Sequence, residues 1–476
     1  MPNSELNKFI WPFLAILFVI AVSVPVLNTK PHLWADEAKS IELARNFADY
    51  GKLEIQTAPG EFTGFPQVLQ STGYPVTVPL ALVFRLFGFG LTQARIYMLL
   101  WMALFLVVGY MFSRRLSGNW QAIAALFLIV SFASFYDSGR TVVGEIPGMV
   151  FLILGLYFWL FRNAYYWSGF WLGLSVVTKP SVFGLIIPAI ALFLLLEREE
   201  EYFKKIFKIG IGMIPAAVVW ILLVLGSPFS SSAWLSIINL YGNPYSSSSL
   251  WQNIINNFLN IPYSTTIIYF GLLFLLIILS KQFSSDKKMK SFFDFTVIYC
   301  IFAFIYYLRS PGWLRYLLIA DFLILFSLPS VLYELTARIK EFFPKLKFLP
   351  ENLSAVCLSL LIVIQFVHFF TSAQIFYSDS AIKVSKLLNE EFSSKIVGVI
   401  NSLDVSVLLK TNQRFQIIEM TGIPIMGKNP LLLGVLPEII VFARNERFLW
   451  GKEEILSDNY VLFSEINDFI IYKRKY

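Results

Sequence analysis

The sequence predicts a polytopic α-helical membrane protein with a small C-terminal α/β domain, and three observations predict it. Of 476 residues, 57% are hydrophobic and only 14% charged, against about 25% charged in soluble domains. Lipid must therefore solvate much of the surface. Apolar runs approaching the ~20 residues that cross ~30 Å of hydrocarbon recur through the first 371 residues. From residue 372 onward the pattern changes to short β-branched runs separated by polar turns.

The first run, "FIWPFLAILFVIAVSVPVL" at 9–27, is longer than a signal-peptide core and has no small-residue cleavage site after it, so it reads as a retained span. Further runs lie at 92–112, 119–136, 147–162, 166–179, 182–196, 206–226, 265–280, 292–308, 314–333 and 353–371, which makes about eleven spans. Residues 75–90, "PVTVPLALVFRLFGFG", carry two prolines and Arg85 and read as an interfacial or re-entrant helix.

Basic residues fix the expected orientation, because short cytoplasmic loops accumulate Lys and Arg. Lys8, Arg114–Arg115 and the basic runs in 197–208, 281–290 and 337–347 all fall on one side of an eleven-span chain. With the N-terminus cytoplasmic in a plasma (inner) membrane, the outer loops are 28–91, 137–146, a link at Lys179–Pro180, 227–264 and 309–313. The expected domains are a membrane domain at 1–371, whose first outer loop (28–91) holds amphipathic interfacial helices, and an extracytoplasmic α/β domain at 372–476. In the latter, "SAIKVSKLLNEEF" has helical spacing, while "KIVGVIN", "VSVLLK", "FQIIEM", "EIIVFAR" and "NYVLFSE…DFIIYK" read as strands. The Ser-rich run 242–257 reads as part of a mobile outer loop.

Composition also excludes classes. The net charge of +7 reflects loop asymmetry rather than nucleic-acid binding. Cys300 and Cys357 lie inside apolar runs, and with two His in the chain no protein-built zinc site is expected. No inverted repeat points to a secondary transporter.

The candidates for chemistry gather on the predicted outer side. In "PHLWADEAKSIELARNFADYG", Asp36 is a favoured N-cap and Glu37 suits the first turn of a helix that Gly51 would close. The same two carboxylates, fixed at headgroup depth, could equally supply a general base. Arg140 and Glu145 occupy a short loop beside hydrocarbon, Lys179 sits at a proline-broken boundary, and Arg309 and Arg315 flank the entry to a late span. Ionisable residues so placed are functional candidates, and several cations beside a carboxylate pair suit a phosphate near the headgroup plane.

These residues resemble the GT-C superfamily of membrane glycosyltransferases, in the branch of the protein O-mannosyltransferases and lipid A aminoarabinose transferases. The resemblance runs in order over roughly 9–335. "WADEAKSIELARNF" is similar to the Asp-Glu motif of the first outer loop, and "STGYPVTVPLALVFRLFGFGLTQARIYMLL" to the Pro-rich segment after it. "GRTVVGEIPGMVF" is similar to the Arg-x4-Asp/Glu pattern, "GFWLGLSVVTKPSVFGLIIP" to the "TKP" segment and "RYLLIADFLILF" to the late Arg-Tyr motif. Where aminoarabinose transferases carry Lys before paired prolines, Tyr74–Pro75 stands here, so that donor is not carried over. Nor does the C-terminal region resemble the lectin-type module of the eukaryotic O-mannosyltransferases.

The resemblance implies GT-C architecture, a polyprenyl-phosphate-linked monosaccharide donor and inverting single-displacement transfer to a glycan, lipid or protein acceptor. Asp36 is then the base, with Glu37 orienting a sugar. Arg140, Lys179 and Arg315 hold the donor phosphate, and Glu145, Tyr74, Arg309 and Tyr316 position substrate. A divalent metal is not expected. The rivals are a transporter or flippase, or a polymerase or ligase, of polyprenyl-linked glycans.

Overall fold

The structure is a computed structural model that describes residues 3–64, 66, 71–196, 201–225, 229–242, 249–282, 286–343, 350–371, 376–420, 423–427, 435–444 and 453–475. Parts of three basic runs (197–200, 283–285 and 344–347) and the Ser-rich residues 243–248 lie outside the described residues.

The chain begins with helix α1 (Asn3–Ser23), then a loop segment holding α2 (Ala35–Tyr50), a hairpin of β1 (Gln56–Ala58) and β2 (Glu61–Phe62), and α3 (Tyr74–Phe87). A helical series follows: α4 (Leu91–Ser117), α5 (Asn119–Ser131), α6 (Ala133–Arg140), α7 (Glu145–Arg162), α8 (Tyr165–Thr178), α9 (Pro180–Phe183) and α10 (Ile186–Leu196). It continues with α11 (Tyr202–Trp220), α12 (Ser231–Gly242), α13 (Leu250–Asn260), α14 (Thr265–Lys281), α15 (Lys287–Arg309), α16 (Leu318–Phe342) and α17 (Pro350–Thr371).

Each of the eleven apolar runs falls on a helix or helix pair, and the chain is a multi-pass membrane protein. Among the described residues seven helices are long and apolar enough to cross a membrane, or up to nine if two bent pairs count as one span each. The expected count of eleven is thus higher than length supports. At 1.5 Å per residue the 14 residues of α8 reach only about 21 Å. The segment 119–140 is not one straight span, because α5 and α6 meet at 69°. Residues 250–257 of the Ser-rich run, read from sequence as part of a mobile loop, belong to helix α13, with Ser249 Oγ accepting the Gln252 amide at 3.1 Å.

Helices in lipid gain little from hydrophobic burial against each other and rely on close packing. Here aromatic rings supply it: Phe105 meets Phe322 at 5.1 Å, Phe135 at 5.8 Å and Phe326 at 5.9 Å between centroids.

The C-terminal domain adds α18 (Ser380–Glu391), β3 (Val397–Ile400), α19 (Leu403–Ser406), β4 (Arg414–Met420), β5 (Ile423–Gly427), β6 (Ile439–Ala443), α20 (Glu453–Asn459), β7 (Tyr460–Ile466) and β8 (Phe469–Arg474). Its sheet runs β5-β4-β3-β6-β8-β7, with β3 parallel to both β4 and β6 and the remaining pairings antiparallel. The run "VSVLLK", read as a strand, is instead the short helix α19 and the turn after it. The Ser402 carbonyl accepts the amides of Val405 and Ser406, and Leu403 O accepts that of Val407. The misleading alternation has a physical origin, for the segment is buried on two sides. Val405 and Leu409 pack into the core beneath α18, whereas Leu403 and Val407 pack with Ile41 of α2 and Leu80 of α3. The C-terminal domain and the first loop therefore share a core.

Candidate active site

Helix α2 starts two residues earlier than a capping Asp36 requires. Trp34 is the extended N-cap residue, it makes no side-chain cap, and Asp36 and Glu37 both lie in the first turn. Freed from capping, the Asp36 carboxylate accepts from Arg315 Nη1 at 2.7 Å and from Lys39 Nζ at 3.2 Å. The Arg315 guanidinium is held in an aromatic box, 4.6 Å from the Trp313 ring, 4.9 Å from Trp34 and 5.6 Å from Tyr316. Cation–π contacts of this kind favour a fixed charge. The Asp36 and Arg315 side chains remain 18% and 24% exposed.

A second pair closes the site from behind. Lys179, at the break between α8 and α9, meets Glu145 Oε1 at 3.1 Å, and both are buried. Close backbone approach makes this possible: a Cβ on Gly144 would stand 2.5 Å from the Thr178 carbonyl, and one on Gly73 would collide with the Val177 carbonyl. The Gly73 amide donates to Thr178 O at 2.9 Å. Lys179 also acts on Asp36 through space. Burial pulls the Asp36 carboxyl upward, but Lys39, Arg315 and Lys179 together hold it well below its ordinary 3.8. Burial likewise presses the Lys39 ammonium below its usual range, Lys179 and Arg315 adding to this and Asp36 opposing it.

Glu37, expected to orient a sugar, is placed in an ion pair. It is fully buried and bidentate to Arg95, with Nε to Oε1 at 2.9 Å and Nη2 to Oε2 at 2.6 Å, and it also accepts the Val142 amide at 3.3 Å. Arg95 Nη1 reaches the Leu27 carbonyl at 2.6 Å. The pair thus ties α2 to α4 and to the end of the first span. Arg140, expected on phosphate, is buried as well. Its Nε donates to Ser23 Oγ and its Nη1 to Lys30 O, each at 3.1 Å, with the guanidinium over Tyr136.

Two more expected residues contact other elements. The Tyr74 hydroxyl donates to Ala216 O of α11 at 3.3 Å. Arg309 closes α15, its guanidinium 6.0 Å from the Tyr306 ring and its carbonyl accepting from Asn253. Tyr316 is buried between Tyr306 and Trp313 and forms a wall of the Arg315 box.

Sequence reasoning passed over Lys39, Arg95 and Asp137. Lys39 had a signal, since it lies three residues after Asp36 on one helix. Arg95 had its place in an apolar run and at the end of the Pro-rich segment that carries part of the resemblance. Asp137 of α6 stands within electrostatic reach of Glu145, Glu37, Arg315 and Arg140. Among the described residues no three His, Cys, Asp or Glu side chains cluster as metal ligands.

A family model for dolichyl-phosphate-mannose-protein mannosyltransferases matches residues 76–229. That stretch includes Arg140, Glu145 and Lys179 but not Asp36. The chain is also similar to the solved structure of ArnT from Cupriavidus metallidurans bound to undecaprenyl phosphate, with TM-score 0.61 and 12% identity over 98% of each chain. A second similar structure is the oligosaccharyltransferase AglB from Archaeoglobus fulgidus, in complex with an inhibitory peptide and a dolichol-phosphate. There the TM-score is 0.59 at 10% identity, covering 100% of this chain and 75% of that one. No curated protein matches the chain by sequence. The chain thus shares the membrane fold of these structures, the GT-C fold that its sequence resemblance implied, and its residues 76–229 match the model of the dolichyl-phosphate-mannose-protein mannosyltransferases.

Proposed function

We propose that this protein is an inverting glycosyltransferase that moves a monosaccharide from a polyprenyl-phosphate carrier to an acceptor hydroxyl or amine at the outer face of the membrane. The observation that carries the reading is a partly accessible carboxylate, Asp36, held by Arg315 and Lys39 with Lys179 behind them. The fold and the lipid phosphates named for the similar structures support it.

The reaction needs a base for the acceptor and positive charge for the departing phosphate. Asp36 takes the acceptor proton, the acceptor oxygen or nitrogen attacks the anomeric carbon from the face opposite the carrier, and the bonding pair of the breaking C–O bond goes to the polyprenyl phosphate. Arg315, the accessible cation, meets that phosphate. Buried Lys179 and Lys39 add field where water is scarce. Glu37, Arg95 and Arg140 are positioning residues that hold α2 and the end of α1.

In the free site the same cations make Asp36 a weak base, because they favour its ionised form. A donor phosphate that takes up their charge raises the affinity of Asp36 for a proton. Donor binding therefore activates the base, and deprotonation without donor is suppressed. These cations fill the charge-neutralising place of a divalent ion, so transfer should persist in chelator; loss on chelation with recovery on adding a divalent metal would remove that part of the reading.

The direct test is transfer from radiolabelled polyprenyl-phosphate sugars in purified membranes, wild type against Asp36→Asn. Loss in the variant, with normal extraction as folded protein, is the expected result. Equal transfer by both would take the base role from Asp36. No transfer from any such donor would favour a transporter of polyprenyl-linked glycans.

A further inference from the structure

Beside the site, on the other side of Trp34, a cavity of about 440 Å³ opens between the C-terminal sheet and the first loop, a size typical of small-molecule sites. Its position follows from the sheet's topology. Strand β3 has parallel neighbours on both flanks, β4 on one and β6 on the other. The chain thus winds in opposite directions from β3, which leaves a crevice at the carboxyl ends of the strands, where open α/β sheets take ligands. Asn401 and Asp404, just past β3, and Ala443, which ends β6, line this cavity. The opposite wall is His32–Ala35 of the first loop. Ala35 is covalently joined to Asp36, a Cα spacing of about 3.8 Å, and the Trp34 ring is shared with the Arg315 box.

Two features of the lining select a ligand. Among the described residues it contains Asp404 and Asp468 and neither Lys nor Arg, a charge that disfavours phosphate or sulfate here while Arg315 attracts it. Aromatic residues (Trp34, Tyr377, Phe469) line it together with residues that carry carboxylates, an amide and hydroxyls. Aromatic faces cover the C–H face of a sugar ring, and the polar groups accept from its hydroxyl or amine hydrogens.

We infer that this cavity is the acceptor subsite and that it receives a non-anionic saccharide, neutral or amine-bearing, whose nucleophile is presented to Asp36 past Trp34. The inference rests on the glycosyl-transfer reading and deepens it.

Two variants test it in the purified full-length protein: Ala443→Phe, which fills the cavity, and Asp468→Asn, in an exposed turn, which removes charge at constant shape. With a polyprenyl-phosphate sugar donor, the acceptor panel is methyl hexosides, methyl 2-amino-2-deoxyglucoside and glucose 6-phosphate. Ala443→Phe is expected to raise the acceptor KM about tenfold or more, and Asp468→Asn by several-fold. Donor KM and donor hydrolysis to water stay unchanged, and the sugar phosphate is the poorest wild-type acceptor. Unchanged acceptor KM in both variants, or a preference for the sugar phosphate, overturns the inference while leaving glycosyl transfer intact. If wild type turns over no donor, the underlying reading fails and saccharide binding is measured directly. Saturation-transfer NMR of the methyl glycosides on wild type and Ala443→Phe then decides, since binding that Ala443→Phe does not weaken overturns the cavity assignment.

Discussion

Asp36 and Glu42 sit less than two turns apart on α2, each paired at 2.7 Å with an arginine distant in sequence, and of the two only Asp36 is open to a substrate. Glu42 and Arg414 are both fully buried. Glu42 Oε1 also accepts from the Gln56 amide and Gln416 Nε2, each at 3.2 Å. Arg45, one turn on, donates to Val407 O and Leu409 O. This end of α2 is a clasp to the C-terminal domain; the other end is a charged opening. One helix thus uses the same pair chemistry twice, and accessibility assigns the roles. A sealed pair fixes position, while an open pair can exchange its partner for a substrate.

The comparison breaks first at Asp36. Asp36→Asn should lower transfer by roughly 10²–10⁴-fold, the usual contribution of a general base, with little change in the thermal midpoint. A variant that transfers normally, or that simply fails to fold, would make Asp36 another clasp. Arg414→Met should do the reverse and cost about 3–5 kcal/mol of stability, because it strands a buried carboxylate. Adding Glu42→Met should recover much of that loss, as judged by thermal or denaturant unfolding. If Arg414→Met left stability untouched, the shared core alone would hold the domain.

Next comes Arg315→Lys, which keeps charge but loses the planar fork and much of its aromatic box. Donor KM should rise about tenfold with stability preserved. A pH profile sharpens the same point. Because the folded pKa of Asp36 is depressed, its ion pairs contribute stability above its ordinary 3.8 and lose it as pH falls through the lower folded value. Donor kcat/KM, which reports the free enzyme, should show no Asp36 limb between pH 5 and 8. The acid limb of kcat, which reports the donor complex, should lie at higher pH. Coincident limbs would remove the proposed activation by donor. The smallest effect belongs to Tyr74→Phe, whose hydroxyl donates to the Ala216 carbonyl. Transfer should stay within about twofold, for a cost of about 1 kcal/mol or less in stability.

The local chemistry of this chain was legible in its sequence. Hydropathy placed eleven helical segments, since a membrane leaves the backbone few other options. The short β-branched runs of the C-terminal part marked a sheet domain, and Gly51, read as the residue that closes α2, does so in the left-handed conformation at φ 70°. The Asp36–Arg315 pairing was anticipated only as membership of one outer-side group. At about 100° per residue, Asp36, Glu37 and Glu42 necessarily face three directions, but the helix alone does not say what lies along each. Tertiary structure supplied Arg315 beside Asp36, Arg95 beside Glu37 and Arg414 beside Glu42, partners 279, 58 and 372 residues away. It also turned "VSVLLK" from an expected strand into a helical turn, because burial on two sides imitates the period of a strand. Sequence set the residue types and their periodicity through short-range sterics and solvation. Which carboxylate stayed accessible depended on long-range packing, which no local pattern encodes.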